Sequence, residues 1–132
     1  MYLVERTAKM LFTESLKKRN DFQIVYKNGK SFANRYLVMY KKKNDTDRNR
    51  LGISVSKKVG NSVVRHRVTR LIRESYRLNE EKFEQGYDLI VVARVNTKEI
   101  SYFDMESALL HVAKLQNVRK DVKNEKNINL HD

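Results

Sequence analysis

At 132 residues the chain has the length of one ordinary domain, and 28 Lys plus Arg against 16 Asp plus Glu give it a formal charge of +12. That excess stores self-repulsion that a bound polyanion relieves while releasing its own counterions, so nucleic acid is the leading partner. With no Cys, the composition excludes disulfides, thiolate metal sites and a Cys nucleophile.

Two further features narrow the class. Met1-Tyr2-Leu3-Val4 is followed at once by Glu5 and Arg6, so no apolar core of a signal peptide is visible, no stretch approaches membrane-spanning length, and the expected location is cytoplasmic. The basic residues are not laid along a helix whose other face exposes Trp, Phe and Leu, which argues against a membrane surface as the partner.

Residues 1–14 mix apolar and charged side chains without a period and read as an arm. A short helix follows from Ser15, with Phe22 and Tyr26 one turn apart before the Asn28-Gly29 stop. Tyr36 to Tyr40 alternates as a strand, with Tyr36, Val38 and Tyr40 on one side and Leu37 and Met39 on the other. The polar run from Lys41 to Arg50 reads as a connection, and Leu51 to Ser56 as the returning strand of a hairpin. Asp45-Thr46-Asp47 resembles the start of a calcium loop, but Arg50 stands where the turn glycine is required, so it reads as a solvated turn.

After Lys57-Lys58-Val59-Gly60 a helix is expected from the N-cap candidates Asn61 or Ser62 to about Glu81. At about 100° per residue, Val64, Val68, Leu71, Ile72, Ser75 and Leu78 form an apolar sector. His66, Arg70, Arg73 and Arg77 fall opposite, with Arg65 and Arg67 on the flanks and Lys57 and Lys58 leading in. A solvated face is the bland reading. Only Glu74 supplies an opposite charge there, so the guanidinium groups repel one another until an anion approaches, and arginine's fork suits phosphate.

Gly86-Tyr87-Asp88 breaks the chain before Leu89-Ile90-Val91-Val92-Ala93, a run suited to a strand buried on both faces. A last helix spans about Tyr102 to Leu115, with Phe103, Leu109, Leu110 and Val112 for packing, and residues 116–132 read as a loose polar tail. His66, His111 and His131 lie too far apart for helix-spaced ligands, and neither a nucleophile–base pair nor a carboxylate cluster is visible, so no catalytic residue is assigned. Phe22, Tyr26, Tyr36 and Tyr40 suit either the core or stacking on unpaired bases.

The run from Leu51 to Glu74, LGISVSKKVGNSVVRHRVTRLIRE, resembles the signature of the bacterial ribonuclease P protein. DFQIVY at 21–26 and GKSFANR at 29–35 match that family in order and spacing, and the resemblance covers Leu16 to Leu115. It implies an α/β (α+β) two-layer sandwich of about four strands and three helices, similar to a domain of a small-subunit ribosomal protein. It also implies a left-handed β-α-β crossover, against the usual rule. The associated RNA would perform magnesium-dependent phosphodiester hydrolysis, and the protein, holding no cofactor itself, would bind that catalytic RNA and the 5′ leader of precursor tRNA.

Carried onto this chain, Arg65 and Arg67 match the outer arginines of the family's Arg-Asn-Arg motif, and Arg70 and Arg73 match later basic positions. Together with Lys57, Lys58 and His66 they are the expected RNA-subunit contacts. Phe22, Tyr26, Val38, Tyr40 and Ser54 match positions that line a leader cleft in relatives. His66 replaces the motif's asparagine and Thr69 a usual lysine; residues 1–14 fall outside the match, leaving Met1 and Met10 as alternative starts. A small ribosomal RNA-binding protein shares the composition and is the alternative. A helix-turn-helix DNA reader is disfavoured, since Gly86 and a strand follow the basic helix.

Overall fold

The structure, a computed structural model, describes residues 9–120. Strands β1 (Thr13–Ser15), β2 (Lys30–Ala33), β3 (Leu37–Lys43), β4 (Asn49–Ser54) and β5 (Tyr87–Ala93) form one sheet in the order β1-β4-β5-β3-β2. Helices α1 (Arg19–Asn28), α2 (Ser62–Leu78) and α3 (Tyr102–Leu115) complete the described elements with two short 3-10 turns. The apolar run at 89–93 takes the central position, antiparallel to β3 and parallel to β4.

That placement corrects the expected hairpin. Leu37–Lys43 and Asn49–Ser54 are not neighbours, because β5 lies between them and pairs with both; the hairpin is β2–β3, with Phe32 opposite Met39. Alternation told which residues form strands, but a continuous apolar run at 89–93 is satisfied only with partners on each side. Asn49 and Arg50, assigned to the connection, open β4, and the sheet has five strands, not about four.

One face of the sheet packs under α2 and α3, burying Leu37, Met39, Leu51, Leu89 and Val91 against Val68, Ile72, Tyr76, Met105, Leu109 and Val112. This is the expected sandwich. On the opposite face α1 adds a smaller cluster of Leu16, Val25 and Ile90, with Phe22, Tyr40 and Val92 packed against it. Asn61 caps α2 by accepting from the Val64 amide, and Ser101 caps α3 by accepting from Asp104. Leu78, expected in the core, is 54% exposed, and the fully buried Tyr76 fills the sector instead.

Both boundaries extend past the expected ones. Glu80, 4% exposed, accepts the Leu11 and Phe12 amides at 2.8 and 3.0 Å, and β1 runs parallel to β4, so the last arm residues belong to the sheet. At the other end Gln116 and Val118 are buried, and the Gln116 amide donates to the Lys30 and Met39 carbonyls. The remaining parts of the predicted arm and tail, residues 1–8 and 121–132, lie outside the described residues.

Asn49 is the polar knot of this arrangement. Fully buried, it donates to the Glu84 carbonyl at 2.7 Å and to the Tyr76 hydroxyl, and accepts the Tyr87 amide. It joins β4, the end of α2 and the start of β5, and burial raises the Tyr76 phenol above its usual pKa, so it stays a neutral partner. Asn49→Ala strands those backbone groups at about 1–3 kcal/mol each. The expected result is a urea midpoint lowered by a stability loss of about 2–4 kcal/mol, with binding partners of the outer surfaces unaffected once folded.

Candidate nucleic-acid interface

The sheet register builds a surface on the α1 face in three rows. Arg50 and Lys42 flank Asp88; Gly52 and Tyr40 flank Ile90; Ser54 and Val38 flank Val92. The first row is locked. Arg50 makes a two-pronged ion pair with Asp88, Nε to Oδ1 at 2.8 Å and Nη2 to Oδ2 at 2.6 Å, and reaches Asp21 of α1 at 3.4 Å. Its pKa is raised first by the Asp88 hydrogen bond, so this arginine is committed to holding α1 on the sheet.

The second row carries α1 itself. The Phe22 ring lies over Gly52, where an added Cβ would stand 2.6 Å from Phe22 Cζ, so only glycine leaves the ring its place. Tyr26 meets Tyr40 edge-on with centroids 4.9 Å apart, and Phe22 and Tyr26 are 6.2 Å apart. Beyond them the third row, Val38, Val92 and Ser54, is only half-buried. It forms a floor beside an aromatic wall.

The five expected cleft residues therefore come together: Phe22, Tyr26 and Tyr40 as wall, Val38 and Ser54 as floor. Their burial answers the core-or-stacking question unequally. Phe22 and Tyr40 are half-buried and pack on the smaller core, whereas Tyr26 is 38% exposed. Val92 and Gly52 were missed, because their membership depends on which strand lies between β3 and β4. Lys57 and Lys58 follow β4 just past Ser54, and both are exposed.

The α2 surface is separate, since that helix packs on the other face. His66, Arg70 and Arg73 are exposed and Arg65 is half-buried; among the described residues no ion pair or hydrogen bond engages the guanidinium groups of Arg65, Arg70 or Arg73. Arg77 pairs with Glu74, removing the one carboxylate of that face from competition. Arg67 is held differently: its guanidinium donates to the Ile100 carbonyl at 2.6 Å and to that of Lys98 at 3.4 Å. It clamps the segment before α3 to α2 while remaining exposed.

Asp45 adopts a positive φ of 58° within a turn organised by the Asn44 side chain, as expected of a solvated connection. Among the described residues no group of three or more His, Asp or Glu side chains gathers as metal ligands. His111 is exposed and places Nδ1 3.2 Å from the Asn34 amide nitrogen. No helix among the described residues is long and apolar enough to cross a membrane.

The fold thus carries two distinct surfaces, a cationic one on α2 and an aromatic-walled one on the opposite side of the sheet. Comparison with known proteins makes the class specific. The Ribonuclease P family model matches residues 10–116. The ribonuclease P protein component of Lachnoclostridium phytofermentans is 61% identical over 106 residues, covering 80% of this chain and 91% of that protein. The Staphylococcus aureus RNase P protein structure superposes with a TM-score of 0.75 at 41% identity, covering 80% of this chain and 97% of that one. The Thermotoga maritima RNase P protein does so at 0.71 and 33%, covering 76% and 94%.

The chain belongs to the ribonuclease P protein family, as a protein component of that tRNA-processing enzyme. The ribosomal alternative is not favoured.

The glycine contact yields a direct test. Gly52→Ala must displace the Phe22 ring or the strand, an overpacking cost of about 1–3 kcal/mol. A lowered melting temperature together with a changed near-ultraviolet signal from the aromatic wall is expected; an unchanged melt would show that α1 is not seated on Gly52.

Proposed function

We propose that this chain is the non-catalytic, RNA-binding subunit of a ribonuclease P particle in the cytoplasm. Its α2 surface binds the catalytic RNA, its α1-face cleft holds the 5′ leader of precursor tRNA, and magnesium-dependent hydrolysis belongs to the RNA. The observation that carries this reading is the pairing of two surfaces on opposite faces of one sheet. On one, Arg65, Arg70 and Arg73 have no carboxylate partner among the described residues; on the other, an aromatic wall stands over a half-buried floor.

Chemistry assigns the roles. Guanidinium forks on a regular helix suit the spaced phosphates of folded RNA, and each charge-assisted contact is worth about 1.5–3 kcal/mol. His66 retains a donor where relatives carry asparagine, and Arg67 contributes charge from its clamped position. A single-stranded leader exposes base faces that a duplex hides, and Tyr26, the most exposed ring of the wall, is placed to stack on one. Lys57 and Lys58, exposed in the segment that leads into α2, add charge for the catalytic RNA. No step of hydrolysis is assigned to a side chain of this protein.

Reconstitution tests the reading. Protein, cognate catalytic RNA and precursor tRNA at low magnesium should release the 5′ leader only when protein and RNA are both present, and robust cleavage by protein alone would overturn it. RNA affinity should fall with salt with a log–log slope of several units, as neutralising that many phosphates requires. Within the particle, Tyr26→Ala should weaken precursor binding by about 1–3 kcal/mol and leave mature tRNA, which has no leader, nearly unchanged. Equal losses for both substrates would remove the cleft from leader binding.

A further inference from the structure

The last helix departs from its expected role at one position. Phe103, placed in the core by the sequence pattern, is 78% exposed, while Leu109 and Val112 of the same helix are fully buried. Tyr102 touches its ring edge-on at 5.7 Å and is itself anchored, its hydroxyl donating to Glu106 at 3.2 Å. Burial and the nearby Glu106 carboxylate push the Tyr102 phenol up to about 12, so the anchor stays protonated at any working pH. Glu106 in turn accepts from Asn79 at the end of α2 at 2.9 Å. The exposed ring thus stands on a braced support.

That support is tied to the basic helix at both ends. Arg67 clamps the carbonyls of Lys98 and Ile100, four and two residues before Tyr102, and Glu74 and Arg77 lie close enough to Tyr102 to act on its charge. The flank of α2 that carries Arg67, Arg70, Glu74 and Arg77 at helical spacing therefore adjoins the Tyr102–Phe103 pair. A lone exposed aromatic is ordinary on a protein surface; what sets Phe103 apart is its braced support beside Arg70. On the adjoining flank Arg70 has no partner among the described residues, so an occupant that covers the ring and meets that cation is anionic and carries flat apolar faces.

We infer that Phe103 is a stacking site for an unpaired base of the catalytic RNA, presented beside the α2 arginines by the Arg67 clamp. This rests on the proposal that α2 binds that RNA and extends the interface from the basic helix onto α3, away from the leader cleft. Stacking tolerates any base, so the site adds affinity and register without demanding a sequence. A second protein surface would instead bury Phe103 without regard to aromaticity.

The test uses full-length protein and the cognate RNA subunit, with affinity and melting temperature measured for each variant. Phe103→Ala and Phe103→Leu should each weaken RNA binding by about 5- to 150-fold, the range of one lost stack, and Phe103→Tyr should bind within about twofold of the parent. Melting temperatures should be unchanged, since the ring is exposed, and the preference for precursor over mature tRNA should persist. Full binding by Phe103→Ala, or equal binding by the Leu and Tyr variants, overturns the stacking site. Arg70→Ala serves as reference: if it weakens binding while Phe103→Ala does not, this inference alone fails, and if neither weakens it, the α2 reading fails with it.

Discussion

Everything functional in this protein depends on where the central strand sits. Leu89, Ile90 and Val91 are fully buried, so β5 must be covered on both faces and paired on both edges. Once it lies between β3 and β4, the side chains of three strands fall into rows. Leu37, Met39, Leu51, Leu89 and Val91 turn toward α2 and α3 and make the main core. The opposite rows turn toward α1, which is too short to cover them all. Ten residues of α1 close the rows at Asp88 and Ile90 and leave the row at Val92 as an open floor. The cleft is thus the uncovered remainder of a sheet face.

The same constraint separates charge from aromatic surface. Because α2 buries Val68, Ile72 and Tyr76 on the main core, its arginines must face outward, away from the cleft side of the sheet. Committed and uncommitted arginines are then easy to tell apart. Arg50 is consumed by Asp88 and Asp21, Arg77 by Glu74, and Arg67 by two backbone carbonyls, whereas Arg65, Arg70 and Arg73 have no ion-pair partner among the described residues. A net charge of +12 therefore reaches solvent unevenly, and the committed arginines hold the elements from which the uncommitted ones project.

Much of this was legible in the sequence where local rules decide. The Asn61 cap and the bounds of α3 follow from capping chemistry and 3.6-residue periodicity, which overran the end of α2 at Leu78 by three residues, and the sharing of a face by Val38 and Tyr40 follows from strand alternation. What stayed hidden depended on pairing between distant segments. The β3–β4 hairpin was a reasonable local inference that β5 overrules, and with it went Gly52 and Val92, whose roles exist only across the strand order. Phe103 and Leu78 failed for another reason: periodicity places a residue on a helix face but not at the end of a helix that overhangs its core. Glu80 and Gln116, polar and near presumed boundaries, gave no sign that each would be buried as an anchor for a chain end.

The sheet separates the two surfaces and makes them physically independent. A double-mutant cycle in the reconstituted particle measures this directly, using Arg73→Ala on α2 and Tyr26→Ala in the cleft, with precursor tRNA and RNA-subunit affinities read for all four proteins. Side chains with no shared partner should show effects that add within about 0.5 kcal/mol, each variant touching its own ligand. A coupling energy above about 1 kcal/mol, or loss of RNA-subunit binding from Tyr26→Ala alone, would show instead that one surface serves both ligands.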